Sequence, residues 1–373
     1  YFCDKATDVF RSEKIPVNDE VTGVVDRRPY GVVAAIKPWN FPVNLPTWTL
    51  GPALLAGNSV IFKPSELTPI TGRKVVECFP TELSEKNILN LVQGSGRVGR
   101  TLVDSESVDY VSFIGSRQTG EWIYRASAEH FHGLSLELGG KDPLVVLDDA
   151  DLDRVVDDLI YGAFKNCGQV CCGIERCLVP ADFLDEVFER VSSRVQELTV
   201  AEGSDESADL GPMIRETEVK RVEEHLRDAE EKGAEITYCR NLPDREHGFW
   251  QAPAVLKNAN SDMKIMNEET FGPVLPIRSY DNEDHAIELA NRLDYGLSAC
   301  VYSEKPGHAR RVASRLEAGS IGINQIVGSI VELPWGGVKK SGVGRMLDRE
   351  GMLSFTQSVT ERWNPDELDD LDR

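Results

Sequence analysis

The sequence predicts an α/β protein in which two open, mostly parallel sheets are covered by helices. Short runs rich in Val, Ile and Leu alternate with amphipathic helical stretches, and this alternation is typical of parallel sheets with helical connections. The alternation restarts after residue 140, which indicates a second α/β domain. A chain of 373 residues is long enough for two or three cooperating domains.

The first run of alternating elements predicts the sheet of one domain. Its buried strands and amphipathic helices are expected in the order strand 31–39, helix 45–57, strand 58–64, strand 88–92, helix 97–105 and strand 110–115. The second run predicts strand 142–147, helix 151–166, strand 176–180 and helix 182–198. Acidic, polar segments at 202–210 and 240–248 are expected to be solvated loops.

The chain is strongly acidic, with 62 Asp and Glu residues against 41 Lys and Arg, and a formal net charge of −21. Nucleic acids and anionic membranes both need a basic surface, so neither is expected as a partner. The basic residues are 15 Lys and 26 Arg. A Lys-poor, carboxylate-rich protein suits a halophilic cell, where high internal salt screens the repulsion. An ordinary acidic cytosolic enzyme is the alternative.

Cysteine usage and the first residues indicate a cytoplasmic protein. Four of the eight cysteines lie within 166–177, and no His cluster accompanies them at zinc spacing, so we expect reduced thiols and no metal. Residues 1–14 are charged almost from the start, unlike a secretory signal. No apolar run of about 18 residues could span a membrane. The absence of an initiator Met suggests a fragment or a processed chain.

Two glycine-containing turns are candidates for holding a phosphate. GSGRVG at 94–99 fits G-x-G-x-x-G between an apolar strand and a helix. The next strand ends in FIGS at 113–116 and lacks the carboxylate expected about 20 residues later, so a helix-capping turn explains the motif at least as well. Gly115 and Gly120 mark a second strand-to-helix turn, whose free N–H groups could bind a pyrophosphate.

Cys171 and Glu137 are the candidate reactive residues. Cys171 follows a Gly-Gln turn that could expose a reactive thiolate, although cysteine is often a small core residue. We expect that core role for Cys167, Cys172 and Cys177. Glu137 lies between apolar residues in LELGG, where burial of a carboxylate is costly, and this favours a functional role.

Two further polar segments border predicted strands. Asn40 in PWNFP has an amide that could donate to a developing oxyanion, or it could simply occupy a Pro-bounded turn. Lys63 and Glu66 in KPSE could bind ribose hydroxyls, and a solvated turn is the alternative.

Together these segments closely resemble the signatures of the aldehyde dehydrogenase superfamily. The matching motifs follow the family's order from residue 38 to residue 345: PWNFP, KPSELTP, FIGS, LELGGKDP, GQVCCGIER, EETFGPV and PWGGVKKSGVGR. Glu137 precedes Cys171 by 34 residues, as in the family pattern. The resemblance implies a Rossmann-like cofactor domain, an α/β catalytic domain and a small oligomerisation hairpin.

The resemblance implies oxidation of an aldehyde to a carboxylic acid. Cys171 would attack the aldehyde carbon to form a thiohemiacetal, and the Asn40 amide and the Cys171 N–H would hold the oxyanion. Hydride transfer would leave a thioester, and Glu137 would activate the water that hydrolyses it. A CoA-acylating relative is one rival, which Glu137 disfavours because such relatives typically lack this base. A non-catalytic protein that kept the fold is another.

The implied cofactor is NAD rather than NADP, because the Glu66 carboxylate would accept from a 2′-hydroxyl and repel a 2′-phosphate. Glu66 and Lys63 resemble contacts to the adenosine ribose, Glu269 a contact to the nicotinamide ribose, and Phe271 the residue that positions the nicotinamide ring. The full set that the resemblance implies is Trp39, Lys63, Ser65, Glu66, Gly115, Ser116, Glu269 and Phe271.

The resemblance also implies a division into domains. The assigned ranges are 1–11 and 30–138 for NAD binding, with the N-terminal part of that domain missing, 139–330 for catalysis, 331–356 for the return to the cofactor domain, and 12–29 with 357–373 for oligomerisation. In the family the hairpin usually pairs with the C-terminal segment of a partner subunit, here near 358–363. A homodimer or homotetramer is implied.

The substrate tunnel would be lined by Phe41, Trp48 and Trp335. Relatives specific for succinate semialdehyde tend to carry Arg at the Trp48 position, so Trp48 argues against that substrate. The aromatic residues suit the quaternary ammonium of betaine aldehyde, but Lys165 stands where a further aromatic is expected. We therefore expect a broad range of neutral aliphatic or aromatic aldehydes.

The chain departs from the family pattern at Met346, where many relatives carry a Glu that is thought to relay protons. Glu137 is therefore expected to act alone or through water. Hydrolysis of the thioester, rather than thiol attack, then becomes the sensitive step.

Overall fold

The structure is a computed structural model that describes residues 1–243 and 247–367. Its described residues divide into two compact units: the first is drawn from Tyr1–Glu137, Ser329–Gly336 and 343–367, and the second from Leu138–Gly328 and Gly337–Gly342. Part of the loop predicted at 240–248 and the last residues of the segment 357–373 lie outside the described residues.

The chain begins with the sheets and helices of the first unit. In chain order these elements are α1 (Phe2–Val9), β1 (Glu13–Asn18), β2 (Val21–Pro29), β3 (Val32–Ile36), α2 (Asn44–Leu55), β4 (Ser59–Lys63), α3 (Pro69–Glu77), α4 (Thr81–Glu85), β5 (Leu89–Leu91), α5 (Gly96–Val103), β6 (Tyr110–Ile114), α6 (Arg117–His130) and β7 (Gly133–Glu137).

The second unit follows directly. Its elements are β8 (Asp142–Val146), α7 (Leu152–Phe164), β9 (Ile174–Pro180), α8 (Leu184–Glu197), α9 (Glu216–Glu231), β10 (Glu235–Tyr238), β11 (Ala254–Lys257), β12 (Val274–Tyr280), α10 (Glu283–Asn291), β13 (Ser298–Tyr302), α11 (Pro306–Ala313) and β14 (Ser320–Ile323). Short 3-10 turns lie at Lys165–Gly168, Ala181–Phe183, Lys264–Met266 and Lys339–Ser341. The chain ends with β15 (Gly342–Val343), α12 (Asp348–Leu353) and β16 (Thr356–Trp363).

Each unit is built on a sheet of mainly parallel strands, and the predicted α/β class is confirmed. The first unit has the strand order β15-β7-β6-β3-β4-β5, and the second has β10-β11-β12-β9-β8-β13-β14, in which β10 runs antiparallel to β11. The strands between the helical layers are almost wholly apolar and buried, as expected for parallel sheets covered on both faces.

The predicted strand 31–39 and helix 151–166 are both shorter in the structure. The strand ends at Ile36, two residues before Pro38, because proline lacks the N–H that a sheet ladder needs. The helix ends at Phe164, and Asn166 and Cys167 then adopt left-handed φ angles of 51° and 58°. Each apolar element therefore ends shortly before one of the sequence motifs, PWNFP after the strand and GQVCCGIER after the helix.

The hairpin predicted at 12–29 forms, but the strand that pairs with it comes from the same chain and not from a partner subunit. β16 pairs antiparallel with β2 of its own chain, from Thr356 opposite Pro29 to Trp363 opposite Thr22. The side-chain amide of buried Asn58 donates to the carbonyls of Ala53 and Phe355 at 3.0 Å, which fixes the chain where it enters β16. The C-terminal segment therefore closes a sheet with the order β1-β2-β16 within one chain.

Within residues 1–243 and 247–367, no helix is both long and apolar enough to cross a membrane.

Candidate active site

Glu137 is the last residue of β7 and is only 3% exposed. Its backbone carbonyl accepts a hydrogen bond from Gly115 N–H at 3.0 Å, which ties the end of β7 to the glycine turn after β6. A Cβ atom added to Gly336 would lie 2.9 Å from Glu137 Oε1, so the backbone at Gly336 passes close to the carboxylate. The structure thus holds this carboxylate inside the first unit.

Lys37 is a second buried ionisable residue in this region, and the sequence analysis did not identify it. It directly follows β3, is 3% exposed, and donates from Nζ to Ser112 Oγ at 2.9 Å. Ser112 Oγ also contacts Thr49 Oγ1 at 2.9 Å and Ser135 Oγ at 3.0 Å. The amine therefore donates to a hydroxyl group that belongs to a buried network of three hydroxyls.

Burial lowers the pKa of Lys37 to about 7, and the negative charge of Glu137 partly opposes this shift. A lysine at the end of the apolar run VVAAIK is the same kind of sequence signal that marked Glu137. It could have been found by applying the same criterion to basic residues.

The PWNFP segment forms the connection between β3 and α2, with Asn40, Trp39 and Phe41 all partly exposed. Trp48 and Trp335 are buried, and their rings meet edge to face with centroids 5.9 Å apart. Trp335 and Met346 exchange backbone hydrogen bonds at 2.7 Å, so Met346 is buried beside this aromatic pair.

The predicted adenosine-ribose residues adjoin the end of β4. Lys63 is buried, its Nζ donates to the Pro64 carbonyl at 3.0 Å, and Glu66 Oε2 lies 3.6 Å from the same ammonium. Ser65 is buried, whereas Glu66 is exposed. An exposed carboxylate beside a buried ammonium offers an acceptor and a donor side by side, which fits the hydroxyl groups of a ribose.

The two glycine turns each begin a helix. Ser95 caps α5 by accepting from Arg97 N–H, and Gly94 has a φ of +144°, so GSGRVG forms the helix-capping turn that was one of its two interpretations. Ser116 caps the 14-residue helix α6 and accepts from Thr119 N–H at 3.4 Å. The start of α6 carries the N–H groups and partial positive charge that fit a pyrophosphate.

Cys171 lies in the second unit, after the 3-10 turn Lys165–Gly168, and is partly exposed. A hydrogen bond with Cys172 raises the pKa of its thiol well above the usual value, and burial and the charges of Asp142 and Glu269 add to this effect. The thiol is therefore protonated at neutral pH, and nucleophilic attack requires a base.

The neighbouring cysteines separate into two groups. Cys167 and Cys177 are buried in the apolar core, and burial raises the pKa of Cys167 to about 12. Cys172 does not have the expected core position: it is partly exposed, and its Sγ lies 3.7 Å from the Val327 carbonyl. Its position next to the turn, rather than on a strand, keeps it at the surface of the unit.

Glycines allow the cysteine turn and the EETFGP segment to pack closely in the second unit. A Cβ atom on Gly168, whose φ is +69°, would lie 2.1 Å from the Gly272 carbonyl. A Cβ atom on Gly139 would lie 2.2 Å from the carboxylate of Glu269. A side chain at Gly168 would displace the backbone of the neighbouring segment, whereas a side chain at Gly139 would push away the carboxylate of Glu269.

Glu269 is partly exposed, and its pKa is raised to about 8 by burial and by the nearby Glu175. Its carboxylate accepts hydrogen bonds when ionised and can donate one when protonated, so it fits the hydroxyl groups of a ribose. Phe271 follows with a φ of +51°.

Lys165, which raised the question of a cationic substrate, lies at the exposed end of α7. Its Nζ contacts the hydroxyl of Tyr161 and lies 4.7 Å from the centre of the Tyr161 ring. This contact holds the ammonium over an aromatic face one helical turn away.

Asp148, Asp149 and His308 place ligand-type atoms within 4.8 Å of one another. Asp149 accepts from Ser303 Oγ at 2.6 Å and lies 3.4 Å from Lys305, and His308 Nε2 lies 2.7 Å from Glu283. We assign Asp149 and His308 to an ion-pair network at the surface, since both already have oppositely charged or hydrogen-bonding partners.

Comparison with known proteins identifies the family. The profile described as "Aldehyde dehydrogenase family" matches residues 1–360. Betaine aldehyde dehydrogenase of Bacillus subtilis (strain 168) is 37% identical over 346 residues, which cover 92% of this chain and 70% of that protein.

Solved structures agree. The crystal structure of betaine aldehyde dehydrogenase from Staphylococcus aureus in complex with NAD+ has a TM-score of 0.91 and 34% identity, and the match covers 98% of this chain and 73% of that one. An NADP-dependent enzyme of E. coli has a TM-score of 0.91 and 33% identity, covering 98% of this chain and 76% of that one. The chain belongs to the aldehyde dehydrogenase family and is an oxidoreductase that acts on aldehydes.

The buried amine of Lys37 leads to a prediction about pH. Its pKa is about 7 in the folded chain and about 10.5 when unfolded, so over this range the unfolded chain binds a proton that the folded chain does not. The free energy of unfolding of the wild type should therefore rise with pH across this window. Lys37→Met has no amine to titrate, so its free energy of unfolding does not rise in this way. Relative to wild type, that free energy should fall by about 3 kcal/mol between pH 6 and pH 9.

Denaturant unfolding of both proteins at each pH measures this difference, and Lys86→Met at an exposed site is the control. Parallel pH profiles for wild type and Lys37→Met would contradict the assignment of Lys37 as a buried, readily neutralised amine.

Proposed function

We propose that this chain oxidises neutral aldehydes to carboxylic acids with NAD, through a thioester on Cys171 that is hydrolysed by water activated by Glu137. The observation that carries the proposal is the burial of Glu137 at the end of β7, at the residue where the first unit gives way to the second. A carboxylate that is 3% exposed within an apolar sheet is costly to maintain, and proton transfer is the chemistry that its burial supports.

The proposed reaction begins at Cys171. Because its thiol pKa is raised, a base must take the proton as sulfur attacks the aldehyde carbon. Water or Glu137 can take this proton, and the NADH burst of Glu137→Gln distinguishes the two. The C–S bond forms while the carbonyl π bond breaks, and the Asn40 amide and the Cys171 N–H would stabilise the negative charge on oxygen.

The resulting thiohemiacetal collapses to a thioester. NAD, when bound, supplies the acceptor for the hydride that leaves the former aldehyde carbon. Glu137 then removes a proton from water as the water oxygen attacks the thioester carbon. The C–S bond breaks, the carboxylic acid leaves, and sulfur recovers a proton.

The cofactor proposal rests on residues in both units. Lys63, Glu66 and Ser116 in the first unit and Glu269 in the second have the donors, acceptors and helix start that a dinucleotide requires. A similar protein was solved with NAD+, and another is described as NADP-dependent, so the fold accommodates both cofactors. The exposed carboxylate of Glu66 favours NAD, because it would repel a 2′-phosphate.

We further propose that residues 30–138 bind the cofactor and 139–330 carry the catalytic cysteine. The hairpin with β16 would mediate assembly into a homodimer or homotetramer, since its outer strand β1 is exposed along its whole length. All eight cysteines are free thiols, which supports a reducing compartment such as the cytoplasm. The net charge of −21 supports a halophilic origin, in which screening by salt is part of normal function.

The range of aldehydes can be tested directly. The aromatic residues Phe41, Trp48 and Trp335 suit apolar substrates, and Lys165 adds positive charge to the second unit. We expect kcat/KM for neutral aliphatic and aromatic aldehydes to equal or exceed that for betaine aldehyde and succinate semialdehyde. NADH formation across such a panel is the measurement. A preference for either charged aldehyde by about 100-fold or more would contradict the proposal.

The role of Glu137 predicts a kinetic separation. Glu137→Gln should retain a burst of NADH, because the thioester can still form, and should lose steady turnover by about 100-fold or more. Stopped-flow absorbance of NADH separates the two phases.

The control variants define the outcomes. Cys171→Ala should abolish both phases, whereas Cys172→Ala should change neither by more than about twofold. Loss of the burst in Glu137→Gln would show that this residue is also needed to activate the thiol. Rapid release of acyl-CoA when CoA is supplied would instead identify a CoA-acylating enzyme.

Glu66 predicts the choice of cofactor. Wild type should have a higher kcat/KM with NAD than with NADP. Glu66→Ala should lower the ratio of kcat/KM with NAD to kcat/KM with NADP by roughly tenfold, because it removes both a charge that repels the 2′-phosphate and an acceptor for the 2′-hydroxyl. Glu85→Ala, at an exposed carboxylate on α4, is the matched control. A higher kcat/KM with NADP in the wild type would overturn the assignment.

A further inference from the structure

Glu175 is a buried carboxylate that the proposed chemistry does not use. It is the second residue of β9, four positions after Cys171, and is 5% exposed. Its Oε2 accepts from Thr270 N–H at 2.8 Å, and its Oε1 accepts from Phe271 N–H at 2.8 Å. One carboxylate therefore binds two successive N–H groups of the EETF segment, residues 268–271.

Lys141 holds this carboxylate in place. Its side chain is fully buried, and its Nζ donates to Glu175 Oε2 and, at 3.1 Å, to Thr270 Oγ1. From α9, His225 Nδ1 also lies 3.1 Å from Thr270 Oγ1. Thr270 is thus fixed through both its backbone N–H and its hydroxyl group.

These hydrogen bonds determine where the neighbouring side chains point. The N–H of Thr270 belongs to the peptide plane after Glu269, and the N–H of Phe271 belongs to the next plane, so both planes are fixed on either side of Thr270. Phe271 has a φ of +51°, a conformation that is unfavourable for a bulky side chain and persists only when the surroundings enforce it. Two charge-assisted hydrogen bonds provide that enforcement.

We propose that Glu175 is a positioning residue for the cofactor, which with Lys141 holds Glu269 and Phe271 in the orientation that binds the nicotinamide riboside. This inference rests on the proposed function, because it takes Glu269 and Phe271 as contacts to the nicotinamide ribose and ring. Glu175 itself touches no reacting atom: it acts through the backbone of residues 268–271.

The test is Glu175→Gln in the full chain. A glutamine presents only one acceptor atom, so one of the two N–H groups faces an NH2 donor and Lys141 loses its charged partner. The KM for NAD should rise roughly tenfold, while the KM for the aldehyde should change less than about twofold. The dissociation constant of NAD, measured by calorimetric titration, should rise in parallel with KM.

Hydrolysis of p-nitrophenyl acetate in the absence of cofactor reports separately on Cys171 and should stay within about twofold of wild type. A merely structural role would lower ester hydrolysis together with NAD binding. Equal NAD affinity in wild type and Glu175→Gln, or a parallel loss of both activities, would overturn the inference. Absence of NAD binding in the wild type would instead refute the proposed function.

Asp228→Asn is the matched control. Asp228 also joins a lysine to a loop N–H, since it accepts from Lys232 Nζ and from Lys264 N–H at 2.7 Å each, but its contacts lie outside residues 268–271. This variant should leave the KM for NAD within about twofold of wild type.

Thr270→Val provides a second variant should Glu175→Gln fail to fold. It removes the hydroxyl that contacts Lys141 and His225 but keeps both N–H bonds to Glu175. It should raise the KM for NAD by roughly threefold and leave ester hydrolysis unchanged. A KM for NAD equal to that of wild type in this variant would contradict the positioning role of Glu175 and Lys141.

Discussion

The ion pair between Lys141 and Glu175 is the interaction on which the functional segments of the second unit depend. Removing two charges from water costs several kcal/mol per ion, and only close pairing with additional hydrogen bonds offsets that cost. Here Glu175 accepts from Thr270 N–H, Phe271 N–H and Lys141, while Lys141 also reaches the Thr270 hydroxyl. The pair therefore joins β9 to the EETF segment. The turn that carries Cys171 leads directly into the same strand.

Close backbone approach complements this ion pair. Gly168 lets the cysteine turn lie against the carbonyl of Gly272, and Gly139 lets the carboxylate of Glu269 lie over the chain after β7. The ion pair sets the orientation of the EETF segment, and the two glycines set how closely the chain around that segment can pack. Both constraints are needed, because a rotated segment or a displaced one would present Glu269 differently.

The first unit satisfies its buried charge in another way. The amine of Lys37 donates to the hydroxyl of Ser112, which is shared with Thr49 and Ser135. Hydroxyl groups stabilise an ammonium less than a carboxylate does, so burial brings the pKa of Lys37 down to about 7. The electrostatic surroundings of Glu137 consequently change within the range of pH in which the enzyme is expected to work.

The sequence by itself determined the α/β class, the order of the elements and the family, because alternating apolar runs and ordered motifs are local patterns. It also singled out Glu137, since a carboxylate in an apolar strand is visible without knowing its neighbours. Lys37 carried the same signal, but only the fold shows that it lies beside Glu137 and not in solvent. The partner of β16 was likewise decided by tertiary structure, because strand pairing is set by how Asn58 and α12 direct the chain. The role of Glu175 was the least visible: its partners are 34 and 95 residues away, and a contact over that distance exists only once the sheet has formed.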